Sequence, residues 1–548
     1  MQTLGNSTLG FTPSASLPSS HHLHCFKQNV RITIKPKLAI AISASSSSQE
    51  QRFFATCAPG LEQVVAAELS SPFIAASNIK PGSSGVSFTG SFGTAYNANL
   101  WLRCAIRVLV ELASAPIPAQ RGRRDDPIYQ FVRDSVDWKT LIVQEDVFHE
   151  EDVDVDHVMD VGNDGGGGLL HASGNPSAAF GGSSFSGLSA SQRERRQIPQ
   201  HSLWKFRTFA VQTRTHDCPQ VNNSMFASIR AKDAICDAIR YACGGSKPSP
   251  PEDGGATADV PLFLSVYRDT VSLYRDMSGI SLHRRGYRDA MHKASLNEAL
   301  AAGCLTIAGW NQEIEGFGDS NSGHVNHSLS LLDPMCGSGT FLIEAALMAC
   351  NHAPGLWRQR WPFETWHDFN NCLWKECRDT AAAAKRPPPK GLMLMGNDVH
   401  EGALSLCIKD AKAAGVHDLL QLSCKACECY IPPSTPSLVV VNPPWGARLG
   451  MDSVHEPVNV IPIWQELGQF LKQRCNHADV YVLSGNSSVT RGLRMKCNRK
   501  WPITVGGMEC KLLHYYVLPP KNSTTQHVSL ASVVGLETAN QDVLEAAA

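Results

Sequence analysis

From about residue 329 onward, short apolar runs near 329–333, 392–397, 420–423, 438–441 and 480–485 mostly alternate with stretches of helical apolar spacing. Apolar runs of that length, without polar alternation, suit strands buried on both faces, and strands joined through helices run parallel. The predicted fold class over 289–520 is therefore α/β, with a Rossmann-like parallel sheet covered by helices. Two late β-rich stretches, Trp501–Thr504 and Leu512–Leu518, are expected to add an antiparallel edge. Residues 351–391, tryptophan-rich and then Ala/Pro-rich, read as an insertion between the first two strands, and 521–548 as a polar disordered tail.

The front of the chain has a different rhythm. A short strand from Phe53, a helix over 61–69, a strand at Gly85–Gly90 and a helix from about Thr94 to Ile106 form a small α+β unit. Between about 145 and 200 an acidic stretch passes into Gly/Ser-rich sequence. Such a segment buries too little apolar surface to offset its ordering entropy, so a disordered insertion is expected there. Order resumes with a strand at Thr208–Arg214, an amphipathic helix over Asn223–Ala242, a hairpin of Pro261–Tyr267 and Val271–Arg275, and a helix from Leu296 to Gly309.

At 548 residues the chain exceeds a single core, and its formal charge of −1 excludes a uniformly basic surface while leaving room for a local basic face. Eighteen cysteines in so long a chain are not a disulfide scaffold, and Cys424-Lys-Ala-Cys427 without a partner pair is a poor zinc signal, so no metal is expected. No apolar run is long enough to span a membrane. The first fifty residues hold ten serines, four threonines, four Lys or Arg and a single acidic residue, Glu50. That bias reads as a transit peptide with the chloroplast stroma as destination, the alternatives being mitochondrion or cytoplasm.

Chemistry concentrates at two predicted strand ends. Asp333-Pro-Met-Cys-Gly-Ser-Gly-Thr340 fits a strand, a glycine turn and a helix start. Asp333, Met335, Cys336, Gly337, Gly339 and Thr340 are its candidate cofactor contacts. Asp398, closing the next strand, can accept hydrogen bonds from ribose hydroxyls. The loop lacks the third glycine of a dinucleotide fingerprint, because Leu342 stands there, and it lacks the lysine of a phosphate loop. About a hundred residues later, Asn442-Pro443-Pro444-Trp445 follows the run Leu438–Val441. Asn442 Oδ1 and the Pro443 carbonyl can accept the two N–H groups of a flat exocyclic amine, and Trp445 offers a stacking face. Together these residues point to methylation of an amino group with S-adenosylmethionine. No carboxylate stands at Cys424-Lys425-Ala426, where adenine recognition is expected.

These motifs resemble the class I amino-methyltransferases marked by an (Asn/Asp)-Pro-Pro-(Tyr/Phe/Trp) tetrapeptide. The front half is similar to the THUMP-containing 23S ribosomal RNA guanine-N2 methyltransferases of bacteria through Phe54–Glu62, Asn223–Phe226, Lys232–Ile235 and Ser281–Arg288. The resemblance covers about residues 52–520. It implies a ferredoxin-like plus THUMP RNA-binding region over 51–288, one methyltransferase domain over 289–520, and transfer to guanine N2 in large-subunit ribosomal RNA. Arg214, Arg230, Lys232, Arg284, Arg285 and Arg288 are the candidate phosphate contacts. The alternative acceptors are a transfer-RNA guanine or an adenine N6 amine, and a different class is a non-catalytic RNA-binding assembly factor. Oligomeric state is not legible in the sequence.

Overall fold

Glu68 decides where the first half turns from helix to sheet. Its carboxylate accepts from the backbone N–H groups of Arg103 (3.2 Å) and Cys104 (3.1 Å), holding a sharp exit from the preceding helix. In the computed structural model, which describes residues 50–117, 126–144, 204–253, 255, 257–288, 295–317, 329–446 and 459–519, that helix ends at Trp101. The helix expected to reach Ile106 is therefore shorter, and Ala105–Pro116 is a strand of 12 residues instead. Val108 and Val110 bury their β-branched side chains in the core, a role suited to a strand. The proposed transit peptide up to residue 49, the insertion at 145–200 and the tail at 521–548 lie outside the described residues.

The first half runs β1 (Gln51–Cys57), α1 (Glu62–Leu69), β2 (Ser77–Gly82), β3 (Gly85–Gly90), α2 (Phe92–Trp101) and β4 (Ala105–Pro116). Then follow α3 (Pro127–Asp134), α4 (Trp138–Ile142), a two-strand ribbon of β5 (Val143–Gln144) and β6 (Lys205–Phe206), β7 (Phe209–His216), α5 (Ser224–Ala242), β8 (Val260–Tyr267) and β9 (Thr270–Asp276). A sheet of seven strands in the order β2-β3-β1-β4-β9-β8-β7 unites them. β4 is the joint: it pairs antiparallel with β1 (Phe53 opposite Val110) and with β9 (Pro116 opposite Thr270). β2 went unread in the sequence because this edge strand is mostly exposed and carries no apolar run.

The second half contains α6 (Glu298–Ile307), α7 (Trp310–Phe317), β10 (Ser330–Asp333), α8 (Thr340–Ala349), α9 (Asn371–Ala383), β11 (Met393–Asp398), α10 (Glu401–Ala413), β12 (Leu420–Cys424), β13 (Leu438–Val441), α11 (Ile461–Arg474), β14 (Asp479–Ser484), β15 (Arg499–Val505) and β16 (Met508–Tyr516). Its sheet runs β12-β11-β10-β13-β14-β16-β15, parallel from β12 to β14 and antiparallel at β16 and β15. The chain moves outward one way from β10 through β11 to β12 and the other way from β13, so the switch in strand order falls between β10 and β13. Ligands bind beyond the carboxyl ends of strands at such a point.

The stretch expected as an insertion, 351–391, is an interdomain wedge. Its Phe363 and Trp374 rings lie 4.8 and 5.5 Å from Tyr96 of α2. Asp368 pairs with Arg275 of β9 at 2.6 Å, and the Arg275 guanidinium sits 3.7 Å above Trp366. Arg358 donates to the carbonyls of Ser278, Ile280 and Ser281. Its tryptophans therefore join the core rather than decorate a loop.

Candidate active site

The two half-loops at the switch point are held by backbone and carboxylate contacts. Met335 N–H donates to Asp333 Oδ1 (3.2 Å), Gly337 N–H to Asp398 Oδ2 (2.8 Å), and Cys336 N–H to the Asn397 carbonyl (2.9 Å). Gly337 and Gly339 both adopt the left-handed region, at φ 54° and 72°. They are glycines for different reasons. A Cβ on Gly339 would fall 2.2 Å from Cys407 Sγ of α10, whereas one on Gly337 meets no atom of the described residues within 4 Å. Gly337 thus faces open space and Gly339 is a packing contact.

Asp333 is buried, and among the described residues no cationic side chain pairs with it. Burial pushes its carboxyl well above the ordinary range, and the nearby Asp398 carboxylate adds to that push. Asp398 also accepts from His400 N–H at 2.9 Å, so both its oxygens are engaged by backbone while keeping lone pairs for a further donor. Cys336 is buried, with its thiol raised by desolvation. The Thr340 hydroxyl accepts from Arg288 Nη2 (2.8 Å) and donates to the Leu296 carbonyl (3.3 Å), which gives it structural partners at the start of α8.

Asn397 was not singled out in the sequence. Its buried amide donates to the carbonyls of Pro334 (3.2 Å) and Lys425 (2.9 Å), tying the loop after β10 to the segment after β12. An asparagine one residue before a predicted ribose acid carries no signal of its own. Only the loops' convergence in space reveals it.

The second strand end abuts the first, since Leu332 of β10 lies opposite Val439 of β13. Asn442 follows directly on β13. Its Oδ1 is buried and has no hydrogen-bond donor among the described residues. Three contacts secure the rest of the tetrapeptide. Trp464 Nε1 of α11 donates to the Pro444 carbonyl (2.8 Å), Trp445 Nε1 donates to the Leu483 carbonyl (3.0 Å), and Asn486 Nδ2 donates to the Trp445 carbonyl (3.4 Å). Pro443 is buried, and Trp445 is only half-buried, with its indole N–H fixed on β14. The arrangement leaves two buried amide oxygens, Asn397 Oδ1 and Asn442 Oδ1, without a partner among the described residues. Such an atom costs free energy unless a ligand donor meets it.

The basic residues divide. Arg285 and Arg288 do not belong with the phosphate contacts. Arg285 is 1% exposed and bound to Glu344, and Arg288 is held by Glu298, Asp410, Ser338 and Thr340. Buried, ion-paired guanidinium groups hold the cofactor loop to α6 and α10 rather than reaching RNA. Arg230 pairs with Asp126 (2.6 Å) and Asp233 and lies over Tyr129, so much of its charge is spent inside the fold. Lys232 is exposed beside Asp233, while Arg214 and Arg284 are exposed. At the cysteine-rich stretch and elsewhere among the described residues, no cluster of potential metal ligands occurs, and the described cysteines are free thiols.

Comparison with known proteins agrees with this architecture. Residues 285–514 match the family described as an RMKL-like methyltransferase domain, and 52–109 match the RlmL ferredoxin-like domain. The ribosomal RNA large subunit methyltransferase K/L of Marinomonas sp. is 32% identical over 58% of this chain and 42% of its own length. The Synechocystis sp. protein slr0064, whose name assigns it provisionally to the RNA methyltransferases, is 26% identical over 86% of this chain and 98% of its own. The chain spans about half the length of the K/L relatives, 42% to 55% of it. Among solved structures, SMU.472 complexed with SAH has a TM-score of 0.59 at 20% identity, covering 87% of this chain and all (100%) of that one. A Clostridium difficile 630 protein titled as a possible methylase has a TM-score of 0.61 at 20% identity, over 86% of this chain and 100% of that one. Residues 285–514 thus form an RMKL-like methyltransferase domain, set behind an RlmL-type ferredoxin-like domain at 52–109.

Proposed function

We propose that this chain methylates the exocyclic N2 amine of a guanine in large-subunit ribosomal RNA, using S-adenosylmethionine, and that it works in the chloroplast. The observation that carries the reading is the buried, unpartnered Asn442 Oδ1 at a strand end next to the glycine loop. The residues present fit the cofactor. Asp333 is a buried carboxylate without a cationic partner among the described residues, suited to an ammonium group, and Gly337 leaves open space on the loop. When bound, the cofactor supplies an electrophilic methyl group.

The chain's own residues orient the acceptor. A purine amine is a poor nucleophile because its lone pair is delocalised into the ring. Asn442 Oδ1 and the Pro443 carbonyl accept its two N–H groups and favour a pyramidal nitrogen with its lone pair free. Trp445 stacks on the base, a contact worth about 1–3 kcal/mol. The ribosomal acceptor is supported by the names of the K/L relatives and by exposed Arg214, Lys232 and Arg284. The chloroplast location is supported by the serine-rich, acid-poor first fifty residues.

The test is methyl transfer in vitro. Purified protein and labelled S-adenosylmethionine are incubated in parallel with an organellar large-subunit RNA transcript and with transfer RNA, and each RNA is digested to nucleosides. Label in N2-methylguanosine is the expected result. Label in N6-methyladenosine, or only on transfer RNA, would replace the acceptor. Cofactor binding without transfer to any RNA would favour an assembly factor.

A further inference from the structure

We propose that Gly485 is a positioning residue that sets the depth of the Trp445 ring and thereby the stacking face offered to the acceptor base; the inference rests on the function proposed above. Gly485 directly follows β14. A Cβ at this position would lie 2.6 Å from Trp445 Cε3 and 3.0 Å from Cζ3, closer than Cβ atoms normally approach other atoms, and 3.2 Å from Cys510 Sγ. Gly485 is absent from the positive-φ residues, so its backbone does not demand glycine. What demands it is the six-membered part of the Trp445 indole packed against the strand end.

The ring has no easy retreat. Its N–H is committed to the Leu483 carbonyl at 3.0 Å, two residues before the glycine. Its backbone carbonyl accepts from Asn486, and Asn486 is itself held in a tight turn by Ser484, whose hydroxyl donates to the Asn486 carbonyl (3.0 Å) and accepts from its N–H (3.2 Å). Cys510 of β16 crowds the same Cβ position. A methyl group at 485 therefore drives the indole away from β14, and the half-exposed side of the ring is the direction left to it. That is where the base must stack, beside Asn442 Oδ1.

A double-mutant cycle tests this. Gly485→Ala is expected to keep S-adenosylmethionine affinity within about twofold, because the cofactor loop lies on β10 and β11. Its single-turnover methylation of RNA is expected to fall at least tenfold. Trp445→Phe removes the indole benzo ring that carries Cε3 and Cζ3, so Gly485→Ala should have little additional effect in the Trp445→Phe background. Wild-type turnover in Gly485→Ala, a full tenfold loss from it in the Trp445→Phe background, or a parallel loss of cofactor affinity would each overturn the proposal. A crystal structure of the Gly485→Ala protein reads ring displacement without reference to any acceptor. An unmoved ring therefore sinks this inference alone, whereas a wild-type protein that methylates no RNA sinks the functional reading.

Discussion

Asn442→Ala is expected to move stability and turnover in opposite directions. Among the described residues Asn442 Oδ1 is buried without a donor. A buried acceptor left unpaired costs about 1–3 kcal/mol, and alanine removes that cost along with the packing of one carboxamide. For a domain of this size about 1 kcal/mol corresponds to roughly 2–4 °C, so the melting temperature should hold or rise by a few degrees. Turnover should respond the other way. Losing one preorganised acceptor at the reacting group costs about 2.7–4 kcal/mol, or roughly 10²–10³ in rate. Calorimetry, cofactor titration and single-turnover methyl transfer together read the three quantities. A melting temperature lowered by about 5 °C or more would mean that the oxygen already has a structural partner. An unchanged rate would mean that it never meets the acceptor amine. Either result refutes the reasoning.

The other predictions concern charge. Asp333 has a folded-state pKa raised above 3.8 by burial and by Asp398, so the folded protein keeps its proton over a window in which the unfolded chain has lost it. Stability contributed there falls as pH rises through that window, while affinity for the ammonium-bearing cofactor grows as the carboxylate forms, until the ammonium itself titrates near about 8. Calorimetric titration across pH should show that rise, and Asp333→Asn should flatten it. Asp398→Asn, by removing a like charge, should shift the rise to lower pH and weaken cofactor affinity, since Gly337 N–H loses its charged acceptor. Arg285→Met leaves Glu344 buried without its ion-pair partner and should cost about 3–5 kcal/mol in denaturant titration. The salt dependence of RNA binding by the folded fraction should stay as in the wild type, and a shallower salt slope would restore Arg285 to the RNA surface. Arg214→Ala, by contrast, should weaken RNA binding and reduce that slope by about one.

What the sequence disclosed follows from where the physical constraint is local. Strands β10, β11, β13 and β14 are largely buried on both faces, so their apolar runs stand out, whereas β12 is a half-exposed edge strand, and the glycine loop and the Asn-Pro-Pro-Trp tetrapeptide are contiguous in the chain. β4 was hidden because Ala105–Pro116 passes from a core-facing half to an exposed half as it crosses between β1 and β9, mixing its alternation. The helix before it looked longer because nothing in the local sequence announces that Glu68, some thirty-five residues earlier, caps the turn. Gly485 and Asn397 are single small residues whose meaning lies in neighbours from other strands. No spacing rule reaches them.

The arginine motif at 284–288 shows the same limit in electrostatic form. Three arginines within five residues read as a surface patch, yet only Arg284 is exposed. Arg285 joins the Arg103 carbonyl at the end of α2 to Glu344 of α8, and Arg288 joins α6 and α10 to the first residue of α8. Arg285 therefore bolts the RlmL-type domain to the helix that begins at the glycine loop, while Arg288 braces that helix within its own half. The wedge at 351–391 adds a second connection through Arg275 and Arg358. With two such buried fastenings, exposed cations on the first sheet stand at a set distance from Asn442, unlike domains joined only by a linker. An RNA gripped there would then have to bring its target base to the site by its own deformation, at a cost of a few kcal/mol for flipping a paired guanine. Unpaired or locally melted guanines within the bound segment are accordingly the favoured acceptors, and placing the same guanine in a stable duplex should lower single-turnover rates while leaving cofactor affinity as it was.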